Sequence, residues 1–266
     1  MAPEPRHIPD PVLQARGLVK VHGAGRGERR ILDGADLDVR AGELVAIVGR
    51  SGSGKSTLLQ LLGGLDRADA GRVTVAGRTV TDARRPSERA LSALRREEIG
   101  FVFQFFHLLP ELDGEANVLL PATLPGAAPG GVARGRALIE QLGLRDVAGL
   151  RPHQLSGGEQ QRFALARALV GDPSLVLADE PIGNLDAAAS EVVLDLLRAV
   201  ADEGRAVVMV THQAEATARA DRVLRLDEGR LALVRRGGVD DDQIHAAGEG
   251  QDAPGRGADG RRSASG

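Results

Sequence analysis

The chain has 266 residues, 42% of them hydrophobic, and a formal charge of -3, which is enough apolar side chain for one large domain or two small ones with a real core. No apolar run approaches the roughly 18 residues that span a bilayer, and the opening MAPEPRHIPDP has prolines and charges where a signal peptide needs an apolar stretch, so the expectation is a chain that stays in the cytosol. The absence of cysteine excludes disulfides, thiolate zinc sites and cysteine nucleophiles, and the near-neutral total gives no global attraction to nucleic acid, which is therefore not expected as a partner.

Residues 1–11 read as a loose leader, and 12–43 alternate apolar and polar side chains as a small antiparallel sheet does, interrupted by the loop GAGRGERR just after His22. Residues 44–49, LVAIVG, are a short continuous apolar run rich in β-branched side chains, the pattern of a strand buried on both faces of a parallel sheet. The next stretch, GRSGSGKST, comprises Gly49, Arg50, Ser51, Gly52, Ser53, Gly54, Lys55, Ser56 and Thr57, and STLLQLLGGL then sets leucines at helical spacing. Strand, glycine-rich loop and helix in that order form a phosphate-binding loop. Glycines let backbone N–H groups close around phosphate oxygens without a Cβ clash, and the helix start adds partial positive charge. Lys55 is placed to reach the β- and γ-phosphates and Ser56 to ligate Mg2+. Lysine is scarce here: of 34 basic residues only Lys20 and Lys55 are lysines.

Farther along, the strand IGFVF leads into Gln104, and FFHLLPEL after it is more apolar than a solvated loop. Residues from about 105 to 160 read as a helical insertion, with a flexible LPGAAPGG at 124–131 and a helix over about 132–141. LSGGEQQR, residues 155–162, opens a run of helix formers with the composition of a phosphate-binding helix start, yet without lysine. Its Ser156 and Glu159 also have the spacing of a capping box. Residues 175–178 form a second apolar strand that ends in Asp179 and Glu180. Adjacent carboxylates past a strand end point different ways, so Asp179 can hold the Mg2+ shell while Glu180 faces the γ-phosphate and polarises the attacking water. A third strand, 206–210, ends in Thr211 and His212 at the side of the sheet where ligands of open α/β folds gather. The core ends near 235, and 236–266, dense in Gly, Ala and charge without periodicity, is expected to be disordered.

Together these motifs resemble the ATP-binding cassette family over residues 12–235, with LSGGEQQR similar to its signature sequence and the other motifs in the family's order. FVFQFFHLLPELDGEANVLLP, PHQLSGGEQQR, GNLD and ARADRVLRLDEGRL are similar to the bacterial subgroup of lipoprotein-releasing, macrolide-exporting and cell-division ATPases. The resemblance implies an α/β fold: a P-loop NTPase (RecA-like) core with a small antiparallel β subdomain and a helical insertion subdomain. It implies ATP and Mg2+ as cofactors, Ser56, Gln104 and Asp179 around the metal, Glu180 and His212 as the catalytic pair, and Asp186 in the turn NLD. It also accounts for the missing lysine. Two cassettes face head to tail, so Ser156, Gly157, Gly158 and Glu159 hold the ATP bound by the phosphate loop of a second copy.

The partners so implied are that second copy and a separate integral membrane permease, which places the chain peripherally on the inner face of the cell membrane, powering export or extraction. A soluble cassette of translation or DNA repair is an alternative disfavoured by a single cassette with no cysteine and no long heptad run; a regulator of cell-envelope enzymes through a membrane partner is another. Three positions depart from the family's pattern. His22 stands where an adenine-stacking aromatic is usual, which implies weaker stacking, Ile182 stands where Thr or Ser is common, and His107 where Asn is frequent. Of Phe105 and Phe106 one is expected to pack the helical part, with Phe106 and Leu108 the expected contacts to a coupling helix of the permease.

Overall fold

The apolar runs around the phosphate loop become neighbouring strands of one sheet. In chain order the strands are β1 (Leu13–His22), β2 (Arg29–Val39), β3 (Leu44–Val48), β4 (Ala70–Val75), β5 (Arg78–Thr81), β6 (Ile99–Val102), β7 (Leu175–Asp179), β8 (Ala206–Val210), β9 (Arg222–Asp227), β10 (Arg230–Arg236) and β11 (Val239–Asp240). The helices are α1 (Lys55–Leu62), α2 (Glu88–Glu98), α3 (Gly114–Thr123), α4 (Gly131–Gln141), α5 (Gly157–Leu169), α6 (Ala187–Asp202) and α7 (Ala214–Ala218). This computed structural model describes residues 11–23, 27–82, 86–237 and 239–240; nearly all of the expected leader, three residues of the loop after His22 and most of the expected tail lie outside them.

The larger sheet has the order β11-β10-β9-β3-β8-β7-β6, parallel from β9 to β6. Its central strands are covered on both faces, and the period of two divides their residues between two cores. Val45, Ile47, Leu175, Leu177 and Val208 face the leucines of α1 and α2, whereas Leu44, Ala46, Val176, Ala178 and Met209 face α5 and α6. That two-sided burial is why these strands read as unbroken apolar runs. β10 extends through Arg236, and Val239–Asp240 pair with Arg235 and Arg236, so the sheet continues into the segment expected to be disordered from 236.

The smaller sheet is antiparallel, in the order β2-β1-β4-β5. It takes in β5 and also β4, whose pairing partner β1 lies far upstream: Leu13 pairs with Val75 and Ala15 with Val73 across more than fifty intervening residues. The helical insertion has a core of its own, built from Val118, Ile139, Leu144, Leu155 and the fully buried Phe163. Gly114, where Asp113 caps α3, gives the Phe163 ring its room, since a Cβ there would lie 2.4 Å from it. The fold is α/β, with a mainly parallel core sheet, an antiparallel β part and a helical insertion. No helix among the described residues is long and apolar enough to cross a membrane.

Candidate functional site

Between β3 and α1 the chain makes a tight loop that only glycine permits. Gly52 and Gly54 have φ of 73° and 101°, a region in which a Cβ is strongly disfavoured. At Gly49 a Cβ would stand 2.7 Å from the Leu226 carbonyl and 2.8 Å from Ser53 Oγ. No side chain caps the start of α1, so its first-turn amides face the loop as a ready anion cradle. Lys55 folds back over that cradle, its Nζ donating to the carbonyls of Gly49 at 2.9 Å and Arg50 at 3.2 Å. Ser53 Oγ is buried there with no hydrogen-bond partner.

The acidic side comes from the end of β7. Ser56 Oγ donates to Asp179 Oδ1 at 3.1 Å. Burial raises the Asp179 carboxyl above its usual range; the Ser56 hydrogen bond opposes that, the Glu180 charge adds to it and Lys55 opposes it. Glu180 has φ of 45°, and this left-handed turn takes its carboxylate off the strand's alternation. Its side chain is only 15% exposed; Oε1 lies 2.9 Å from His212 Nδ1, and Oε2 is buried without a partner. His212 reaches it because β8 is paired with β7, Asp179 beside Val210, two residues before the histidine. Gln104 leaves β6 so that its amide packs across Gly183, and its carbonyl accepts from Asn184 Nδ2 at 3.0 Å. With Gln60 and Asp179 it lines a cavity of about 200 Å³.

The other predicted residues gather elsewhere. Ser156 caps α5: its Oγ accepts from the Glu159 amide at 3.3 Å and donates to Glu159 Oε2 at 2.8 Å, while its own N–H donates to that oxygen at 2.7 Å. The Ser156 amide first, and its hydroxyl second, hold the Glu159 carboxyl below its usual range. Gly157 and Gly158 bring α5 close to α6, a Cβ at Gly158 falling 2.9 Å from that of Ala189. Asp186 is exposed and caps α6 by accepting from Ala189 N at 2.8 Å. Ser156, both glycines, Arg162 and Asp186 line a cavity of about 360 Å³ that no residue of the phosphate loop shares. Lys55, Ser56, Gln104, Asp179, Glu180 and His212 thus form one cluster, and the LSGGEQQR residues with Asp186 form another. His22 is exposed at the end of β1, which Lys20 ties to Asp66 at 2.9 Å and the Val21 amide ties to Asp69 at 2.7 Å.

One of the two phenylalanines packs, as expected, but it is Phe106, the one expected to face a partner. Phe105 is 70% exposed, whereas Phe106 is half-buried with its ring across Gly157 and Leu108 packs on the helical core. Two further residues were not singled out from the sequence. Gln161 is fully buried and donates to the Pro181 carbonyl at 2.7 Å, just past Glu180. Arg167 donates to the carbonyls of Phe106 and His107 at 2.8 and 2.5 Å. The available signal for Arg167 was a lone charge inside the apolar run FALARAL.

The family model described as "ABC transporter" matches residues 32–183. The chain is 49% identical over 226 residues to the lipoprotein-releasing system ATP-binding protein LolD of Ruegeria pomeroyi, covering 84% of this chain and 98% of that protein. It is 47% identical over 230 residues to the macrolide export ATP-binding/permease protein MacB 1/2 of Paracoccus denitrificans, covering 86% of this chain but only 34% of that longer protein. Among solved structures it is similar to the ATP-binding cassette MJ0796 as a dimer bound to ADP and Pi, with a TM-score of 0.74 and 36% identity over 82% of this chain and 96% of that one. A family match over more than half of the chain and a relative 49% identical over 84% of it show that this chain belongs to the ABC transporter family, as an ATP-binding cassette.

Proposed function

We propose that the chain is the ATP-hydrolysing subunit of a LolD- or MacB-like transporter and drives export or membrane extraction through a membrane permease. The observation that carries the hydrolytic reading is the Glu180 carboxylate, fixed at one oxygen by His212 and buried without a partner at the other. An unpartnered buried oxygen is costly unless something comes to it, and a water in line with a γ-phosphate is the natural occupant. Glu180 orients that water and draws its proton, and His212 fixes the carboxylate's direction.

Lys55 exchanges the carbonyls of Gly49 and Arg50 for phosphate oxygens, and the loop amides take the remaining charge. The donor set fits a magnesium-nucleotide: a hydroxyl and a carboxylate already 3.1 Å apart, beside a cradle too tight for a Cβ. Ser56, Asp179 and Gln104 would hold Mg2+, which when bound neutralises charge on the β- and γ-oxygens. Ser156, with Gly157, Gly158 and Glu159, serves the nucleotide of a second copy, with Asp186 at that junction. Support comes from the separation of the two clusters within one chain and from the dimeric cassette to which it is similar. The permease partner and a peripheral place on the cytoplasmic face of the inner membrane rest on likeness to LolD and MacB.

Mixing inactive chains tests the shared site. Ser156→Arg and Lys55→Ala proteins, each inactive alone, are expected to regain part of the ATPase rate together, because a heterodimer has one intact composite site. No recovery, with heterodimers shown to form, would mean that each chain works by itself.

A further inference from the structure

Phe106 and His107 both have left-handed backbone, with φ of 55° and 50°, a conformation that costs a residue with a Cβ roughly 1–2 kcal/mol each. Such a pair persists only where its surroundings hold it. The Phe106 and His107 carbonyls lie close enough together to accept from a single side chain. A guanidinium fork fits them. Arg167 supplies it from the far end of α5, reaching back along the helix as side chains lean.

The bond matters to both partners. Arg167 is half-buried and forms no ion pair with a carboxylate among the described residues; burial lowers its hold on its proton. Without the two carbonyls its charge would lie desolvated and uncompensated. At the other end of the same helix the Phe106 ring lies across Gly157. Upstream, the Gln104 carbonyl is held by Asn184, and the His107 ring packs on Phe103 with centroids 4.6 Å apart. Residues 104–107 are thus threaded between the end of β7 and α5; the amides of the strained pair donate to the Phe103 and Phe105 carbonyls, and its own two carbonyls are held from α5.

We propose that Arg167 is a positioning residue: its fork latches the backbone just after Gln104 to the helix that begins at Ser156, and so fixes where the Gln104 amide stands relative to Asp179. This rests on the reading of Gln104 and Asp179 as ATP-site residues. Arg167 touches neither and acts only through the segment it holds. Unlatched, residues 106 and 107 relax toward extended backbone and Gln104 loses its set position.

The test is a cycle of Arg167→Ala, Gln104→Ala and the double variant in the full chain, with ATPase rate, affinity for a non-hydrolysable ATP analogue and amide exchange at 105–108 as readouts. Arg167→Ala is expected to lower kcat by about tenfold with analogue affinity within about twofold, and to add less than about twofold to the loss from Gln104→Ala, as for groups acting in series. Arg167→Lys, which keeps charge but loses the fork, should fall between, and it carries the test if Arg167→Ala does not fold. An unchanged kcat, a loss that multiplies with that of Gln104→Ala, or affinity falling in step with kcat would each overturn the latch. If the wild-type chain does not hydrolyse ATP, the functional reading fails separately. Exchange at 105–108 then decides: clearly faster in the Arg167 variant supports the latch, and unchanged exchange overturns it.

Discussion

Glu180 Oε1 and His212 Nδ1 stand 2.9 Å apart, joining the ends of two adjacent parallel strands, while Glu180 Oε2 is left buried and unpartnered. Geometry of this kind separates binding from turnover. Glu180→Gln keeps the shape and the contact to His212 but cannot draw a proton, so ATP affinity should persist while steady-state hydrolysis falls by roughly 10²- to 10⁴-fold. ATP should then trap a dimer visible by size-exclusion chromatography. Hydrolysis near the wild-type rate would remove Glu180 from the chemistry.

The cap on α5 titrates. Ser156 holds the Glu159 carboxyl below its usual range, so this group stabilises the fold at pH above its unfolded value, and that contribution is lost as pH falls through the lower folded value. Glu159→Gln retains the acceptor and loses the charge. Its deficit should be on the order of 0.5–1 kcal/mol near neutrality and should shrink to nothing in acid. Thermal melts from pH 7 to pH 3 read this directly, and a deficit constant with pH would count against it.

The family resemblance puts His22 where an adenine-stacking aromatic is usual, in a chain with no tyrosine or tryptophan anywhere in its sequence. Discrimination between ATP and GTP should be modest, and His22→Tyr should tighten ATP by about 1 kcal/mol, the worth of a base stacked on a better aromatic. Equilibrium titration decides; unchanged affinity would take residue 22 away from the base.

Phe105, at 70% exposure, and Leu109, at 43%, are large apolar side chains facing solvent on the segment after Gln104. Exposed aromatics of this kind are natural anchors for a partner. Phe105→Ala and Leu109→Asp are expected to abolish copurification of the membrane partner in detergent, with thermal stability of the isolated chain little changed. Intact copurification would move the coupling surface elsewhere, and a collapse of stability would make these residues part of the packing.

Much of the site was legible because its chemistry sits where strands end. A parallel strand covered on both faces is an unbroken apolar run, so its last residue is easy to find; Asp179, Glu180 and His212 follow from that rule, and Lys55 from the glycine-rich pattern that follows one such strand. β4 and β5 were not legible as part of the antiparallel sheet, because GRVTVAGRTVT pairs with a strand far upstream and nothing local records the pairing. Which phenylalanine faces solvent was hidden for another reason. Two adjacent aromatics look alike in sequence, and the left-handed turn at Phe106 decides between them. Arg167 was harder still, since its partners are main-chain carbonyls, which any residue possesses.

Lys55 lies over its own loop and Lys20 is clasped by Asp66 and the Arg67 carbonyl with its side chain only 12% exposed. With no other lysine in 266 residues, the amine chemistry of the side chains is all but confined to the nucleotide cradle. An acylating reagent at mildly alkaline pH therefore has Lys55 and the chain's α-amine as its main targets, and loss of the mass tag from the Lys55 peptide when nucleotide is added would read occupancy without any engineered label.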